Sequence, residues 1–272
     1  MIEHHVSPAG DWETVARPPH PALRPLVHRG YLGYREDVGA ALRRLEVPHE
    51  AITVILNLGP AIMVDGPRFG SFVAGLHDRA VVTEHGGEQL GIQMDLTPLG
   101  AQMLFGLPMG ELSRRVVALD AVLPAELTEH LAELPDWPER FALLDAFLLA
   151  RLQRAPAPRP DVAFAWSRLS ATHGAVGIAQ LCAELGCSRR HLSGRFAQDV
   201  GLGPKAIARI LRFRRVLSLL DRADGPARFA EIAAVGGYYD QPHLNRDFRE
   251  LAGCTPTEYV ARRLPENRGV AA

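Results

Sequence analysis

The stretch IAQLCAELGCSRRHLSGRFAQDVGLGPKAI, residues 178–207, returns later in the chain as FAEIAAVGGYYDQPHLNRDFRELAGCTPTEY, residues 229–259. The offset is 51 up to a glycine before a turn (Gly186, Gly237), and 52 beyond it: His191/His243, Leu192/Leu244, Phe196/Phe248, Gly201/Gly253 and Pro204/Pro256. The second copy therefore holds one extra turn residue. Each copy reads as a short helix, a tight turn and a second helix in which Leu and Phe at i and i+4 face one side. Two helix-turn-helix units in one all-α domain are predicted, an arrangement suited to duplex DNA.

The face opposite Leu192 and Phe196 carries Arg189, Arg190, Ser193 and Gly194; the matching face of the second copy carries Gln241, Pro242, Asn245 and Arg246. Arginine can bond guanine O6 and N7 in bidentate fashion, and Asn or Gln can do so to adenine, so these side chains suit helices entering a major groove. Ser188 and Asp240 stand as helix caps, leaving backbone N–H groups toward a phosphate, although the carboxylate of Asp240 would repel one. Between the copies, Pro204 opens a helix to about Leu220, broken by Asp224-Gly225-Pro226. About 17 residues at 1.5 Å each give about 25 Å, a strut able to hold two recognition helices in successive major grooves, about 34 Å apart, if the DNA bends or the helices sit obliquely. Its Arg209, Arg212 and Arg215 recur at i, i+3, i+6, either as phosphate contacts or as a solvated face. His191 and His243 read as imidazoles with a local hydrogen bond.

Charge divides the 272 residues in the same place. Residues 1–158 hold 13 Arg against 20 acids, a net −7, whereas residues 159–272 hold 17 Arg and Lys against 11 acids, a net +6. A polyanion-binding C-terminal domain joined to a domain with another task fits this split. No stretch approaches 18 apolar residues and the start lacks a basic tip before an apolar run, so a cytoplasmic protein without membrane contact is expected. Cys182, Cys187 and Cys254 lack metal-ligand spacing and read as reduced thiols, with no cofactor implied.

Alternating prolines at 155–160 predict an extended linker, with Asp161 capping a helix from Val162 to Thr172 beyond it and residues 265–272 as a tail. Before it, residues 1–154 are expected to be strand-rich, a small barrel or sandwich with trailing helices. Predicted strands are 30–35, 51–58, 61–64, 71–76, 80–83 and 89–95, between turns such as Asp65-Gly66-Pro67. Thr97 and Pro98 should start a helix; further helices are expected at 125–134 and 139–152. The last is apolar enough, through Phe141, Leu144 and Leu148, to need burial in its own domain or against a second subunit. The fold class is α+β: this strand-rich domain, then the all-α domain at 161–264.

Ile232, Ala233, Gly237, Tyr238, Leu244, Arg246, Phe248, Arg249, Gly253, Thr255, Pro256 and Tyr259 resemble the pattern of the AraC/XylS family of bacterial transcription regulators, over about residues 160–263. The resemblance implies a seven-helix DNA-binding domain, RNA polymerase as a partner and location with the nucleoid. It places base-facing positions at Arg190, Ser193 and Gly194 and at Gln241, Pro242, Asn245 and Arg246. Ser188, Arg189, Arg209, Arg212, Asp240 and Arg249 complete the expected DNA-contacting set. Gly194 stands where the family often has arginine, so the first helix is expected to read fewer bases. Residues 1–154 resemble the family's sensory half more weakly, nearest at 89–107, which implies a small effector or a homodimer. His77, Asp78, Glu84 and His85 are the best candidate metal cluster, but without His-x-His spacing they read as turn and surface residues. An enzyme or self-modifying damage sensor in this half would need a reactive thiolate, yet all three cysteines lie in the other half and no G-x-S-x-G occurs.

Overall fold

The computed structural model describes residues 2–7, 10–222, 228–263 and 270–272. The chain divides into two compact units: residues 1–43, 51–75 and 83–158, and residues 44–50, 76–82 and 159–272.

The first unit carries β1 (Ile2–Ser7), β2 (Gly10–Arg17) and β3 (Val27–Asp37), the start of β4 (Leu42–Glu46), then β5 (Ile52–Asn57), β6 (Ile62–Val64), β7 (Arg68–Phe69) and β8 (Phe72–Ala74). Most of β9 (Val81–His85), β10 (Glu88–Leu96), α1 (Pro98–Phe105), β11 (Val116–Ala118), α2 (Glu126–Glu133) and α3 (Trp137–Leu152) follow. Seven strands form one sheet in the order β1-β2-β3-β10-β5-β8-β11, each antiparallel to its neighbours. A second sheet orders β4-β9-β6-β7. All six expected strands are present. The hairpin of β1 and β2 was not expected, because a stretch rich in His, Glu and Asp shows no alternation strong enough to mark an edge; β4, β7 and β11 were missed as well.

Thr97 caps α1 as its sequence implies, accepting from the Gly100 N–H at 3.1 Å with Pro98 in the first turn. Helix α3 buries its apolar stripe within its own unit: Phe141, Leu144 and Leu148 are buried, and the Phe141 ring stacks on Tyr31 and Trp137 with centroids 5.9 and 6.0 Å away. Asp145 sits on the same face. It is buried, and accepts from the Tyr31 hydroxyl and the His20 N–H, both at 2.9 Å. Burial first, then the hydrogen bond and charge of Asp145, push the Tyr31 hydroxyl well above its ordinary pKa.

The second unit contains α4 (Pro160–Ala171), α5 (Ile178–Leu185), α6 (Arg189–Val200), α7 (Pro204–Asp221), α8 (Phe229–Val235), α9 (Gln241–Ala252) and α10 (Pro256–Ala261), seven helices among its described residues. Pro160, expected in the linker, instead occupies the first turn of α4, where a missing N–H costs nothing. Asp161 lies inside the helix rather than capping it. The proposed break at Asp224-Gly225-Pro226 lies outside the described residues. Residues 270–272, expected as tail, are held within this unit: Val270 is buried and its carbonyl accepts from the Leu45 N–H at 2.8 Å.

The core of this unit is the repeated framework. Leu192, Phe196, Leu244 and Phe248 are fully buried, each stabilising by about 1.5–3 kcal/mol. Phe248 meets Phe213 of α7 edge-on at 4.9 Å and Tyr259 of α10 at 5.7 Å. Among the described residues, no helix is long and apolar enough to cross a membrane.

Candidate nucleic-acid interface

Both units turn by the same device. The Cys187 N–H donates to the Cys182 carbonyl at 3.0 Å, and the Tyr238 N–H to the Ala233 carbonyl at 2.9 Å. In each case the intervening glycine, Gly186 or Gly237, has positive φ (62° and 85°). This is the six-to-one closure that ends a helix through a left-handed residue. The equivalence of Gly186 with Gly237 therefore extends through Cys187 and Tyr238, and the extra residue of the second copy is Tyr239.

The following helices are capped alike. The Ser188 side chain accepts from the His191 N–H at 3.2 Å, and that of Asp240 from the His243 N–H at 2.8 Å. The imidazoles differ: His191 Nε2 lies 3.9 Å from Asp161, while His243 packs edge-on against Tyr238 at 5.0 Å.

Each recognition helix is tied to the helix that opens its unit by an ion pair of inverted polarity. Arg195 of α6 reaches Asp161 of α4 at 3.0 Å. At the equivalent position of α9 stands Asp247, reached by Arg209 of α7 at 2.7 Å, and Arg209 also pairs with Glu250 at 2.5 Å. Burial alone would lower the Arg209 pKa, but the carboxylates of Asp247 and Glu250 outweigh it and hold the guanidinium above its usual value. Arg212 donates to the Gly174 carbonyl at 2.8 Å. Arg209 and Arg212 are thus turned into the unit, contrary to their expected place in the DNA-contacting set. Both guanidiniums are half-buried and donate within the unit, Arg209 to Asp247 and Arg212 to the Gly174 carbonyl, which holds these donors away from a phosphate.

The remaining expected residues lie outward. Ser188, Arg189, Arg190, Ser193 and Gly194 of the first unit are exposed, as are Asp240, Gln241, Pro242, Arg246 and Arg249 of the second, with Asn245 half-buried. Arg189 and Ser193 also line a shallow groove with Ile178, Gly203 and Lys205. No atom lies within 4 Å of the position a Cβ would take on Gly194, so that face is open. Two features were not foreseen. One is Arg195 as the partner of Asp161; the other is the identity of the extra turn residue as Tyr239, 93% exposed, because the repeated spacing lies on either side of it. Among the described residues, no group of three or more His, Cys, Asp or Glu side chains is arranged to hold a metal.

Residues 181–262 match the family described as "Helix-turn-helix domain", a span covering both turns and both recognition helices. A comparison with curated proteins finds no match. Among solved structures, ToxT from Vibrio cholerae is 12% identical, with 85% of this chain and 97% of that one covered, at a TM-score of 0.48. ToxT from Vibrio cholerae strain SCE256 with bound unsaturated fatty acid is 12% identical over 88% and 99%, at 0.44. The AraC-like transcriptional activator CuxR is 17% identical over 84% and 90%, at 0.24.

Proposed function

We propose that this chain, a DNA-binding transcription regulator with a helix-turn-helix domain of the AraC/XylS type, reads an asymmetric duplex site through two chemically different helices. The observation that carries the reading is the contrast between two like-built units whose outward faces differ. Turn, cap and core are shared, whereas Arg189, Arg190, Ser193 and Gly194 of α6 are replaced at the corresponding positions of α9 by Gln241, Pro242, Asn245 and Arg246. Arg190 and Arg246 supply guanine contacts, Gln241 and Asn245 adenine contacts, and Ser188, Arg189 and Arg249 contacts to the flanking backbone. Asp240 serves the reading by capping α9 rather than by touching DNA.

The division of labour follows the charge split. Residues 161–264 bind DNA, residues 155–160 connect, and residues 1–154 respond to a small effector or form a homodimer, with no catalytic role assigned. RNA polymerase is the protein partner implied by the resemblance, and the location is the cytoplasm with the nucleoid. Selection of bound duplexes from a random-sequence pool tests the DNA reading: the full-length protein enriches one motif, and failure to enrich any motif contradicts it. A thermal-shift screen of small metabolites on the full chain tests the effector role, which an unmoved melting temperature throughout would count against.

A further inference from the structure

Tyr239 is the residue that distinguishes the second turn from the first. The closures at Cys187 and Tyr238 are the same, and the caps at Ser188 and Asp240 are the same, so the turn of the first unit is made without any counterpart to Tyr239. Its neighbour Tyr238 is buried against His243. Tyr239 points the other way, at 93% exposure, and Val235 near it is 53% exposed; these are the two most exposed large hydrophobic side chains among the described residues. The first unit has Glu184 at the place of Val235, paired with Arg168 at 2.9 Å. An inserted aromatic that neither closes the turn nor enters the core has no account within the fold.

Its place supplies one. Tyr239 directly precedes the cap of α9, and the residues before a recognition helix pass the lip of the groove where the phosphates run. The Asp240 carboxylate is committed to the His243 N–H at 2.8 Å. It offers a phosphate nothing but repulsion, so a neutral donor is the group that this lip can use. Tyrosine hydroxyls are among the side-chain donors to phosphate oxygens. We infer that Tyr239 donates its phenolic O–H to a backbone phosphate beside the segment read by α9, fixing the register of the second helix in a way the first lacks. The inference rests on the DNA reading above.

The test uses the full-length protein and a duplex selected from a random-sequence pool. Tyr239→Phe and Tyr239→Ala each lower affinity by about 10- to 100-fold, the range for one hydrogen bond to a charged acceptor. The loss is equal on the selected and on scrambled duplexes, and the salt slope is unchanged because a neutral donor releases no counterion. Replacing single phosphates by neutral methylphosphonates near the α9 segment finds one position at which wild type and Tyr239→Phe bind equally. A Tyr239→Phe protein as tight as wild type overturns the inference, including when Tyr239→Ala is weaker, since the hydroxyl then does nothing. Arg246→Ala on the same duplexes separates the failures. Lost discrimination there, with unaltered Tyr239→Phe binding, sinks the tyrosine contact alone; no enrichment from the pool sinks the DNA reading and this inference with it.

Discussion

The Nε of Arg209 on α7 lies 2.7 Å from Oδ1 of Asp247 on α9, and Asp247 is buried. The pair fixes how the second recognition helix leaves the strut. Removing one partner leaves the other charge in a poorly solvated place, a change costing on the order of 3 kcal/mol. Arg209→Ala should lower the unfolding free energy read from denaturant melts by that order, and Asp247→Ala by less, because Arg209 keeps Glu250 as a partner. At temperatures where the variants remain folded, Arg209→Ala should keep the salt slope of DNA binding, as expected for an arginine that touches no phosphate. A slope reduced by about one would return Arg209 to the interface.

Gly194 occupies the position of Arg246 in the repeat, and open space surrounds the place its Cβ would take. Gly194→Ala should stabilise the protein by about 0.5–1 kcal/mol through helix propensity alone. Gly194→Arg should tighten binding to duplexes with guanine at one added position, measured by competition among single-base variants. Loss of folding in Gly194→Ala would show that the face is occupied.

Gly174 is constrained from both sides by α7. Its carbonyl accepts from Arg212, and a Cβ would come within 2.1 Å of the Ala208 carbonyl oxygen at a φ of 75°. Gly174→Ala should therefore destabilise by more than about 2 kcal/mol, combining overpacking with left-handed strain. Thermal melts and far-ultraviolet dichroism would measure it; a wild-type melting temperature would refute the packing described.

Burial pushes the Asp161 carboxyl up, but hydrogen bonds from Arg195 and the Val162 N–H, with the Arg195 charge, outweigh it and leave the group below its usual value. A carboxyl depressed on folding contributes stability that is present above its unfolded value, about 3.9, and is lost as pH falls through the lower folded value. Asp161→Asn should lower the melting temperature at pH 7, with the gap from wild type closing below about pH 4. A gap independent of pH would mean that the ion pair is not its source.

The repeat made the second unit legible because the same buried Leu and Phe must recur wherever two such turns are built. The caps at Ser188 and Asp240 could be read locally, since they depend on neighbours three residues away. The direction of Arg209 and Arg212 could not. A stripe at i, i+3 looks the same whether it faces solvent or a carboxylate from a helix almost forty residues on, and only the packing of α7 against α9 decides it. In the first unit, strands with apolar alternation such as β5 and β10 announced themselves, whereas β1 and β2 carry too many polar residues for their pairing to show in the chain alone. The burial of α3 in its own unit depended on Tyr31 and His20, more than a hundred residues away, meeting Asp145.

Whether two like-built helices read different bases is measured most directly by base-resolved selection with Arg190→Ala and Arg246→Ala. Each variant should lose about 1–3 kcal/mol on the wild-type site. Each should also lose sequence preference at one or two base pairs in its own segment, with the two segments about one helical turn apart and unlike in sequence. A palindromic motif, or the same positions relaxed by both variants, would contradict the account.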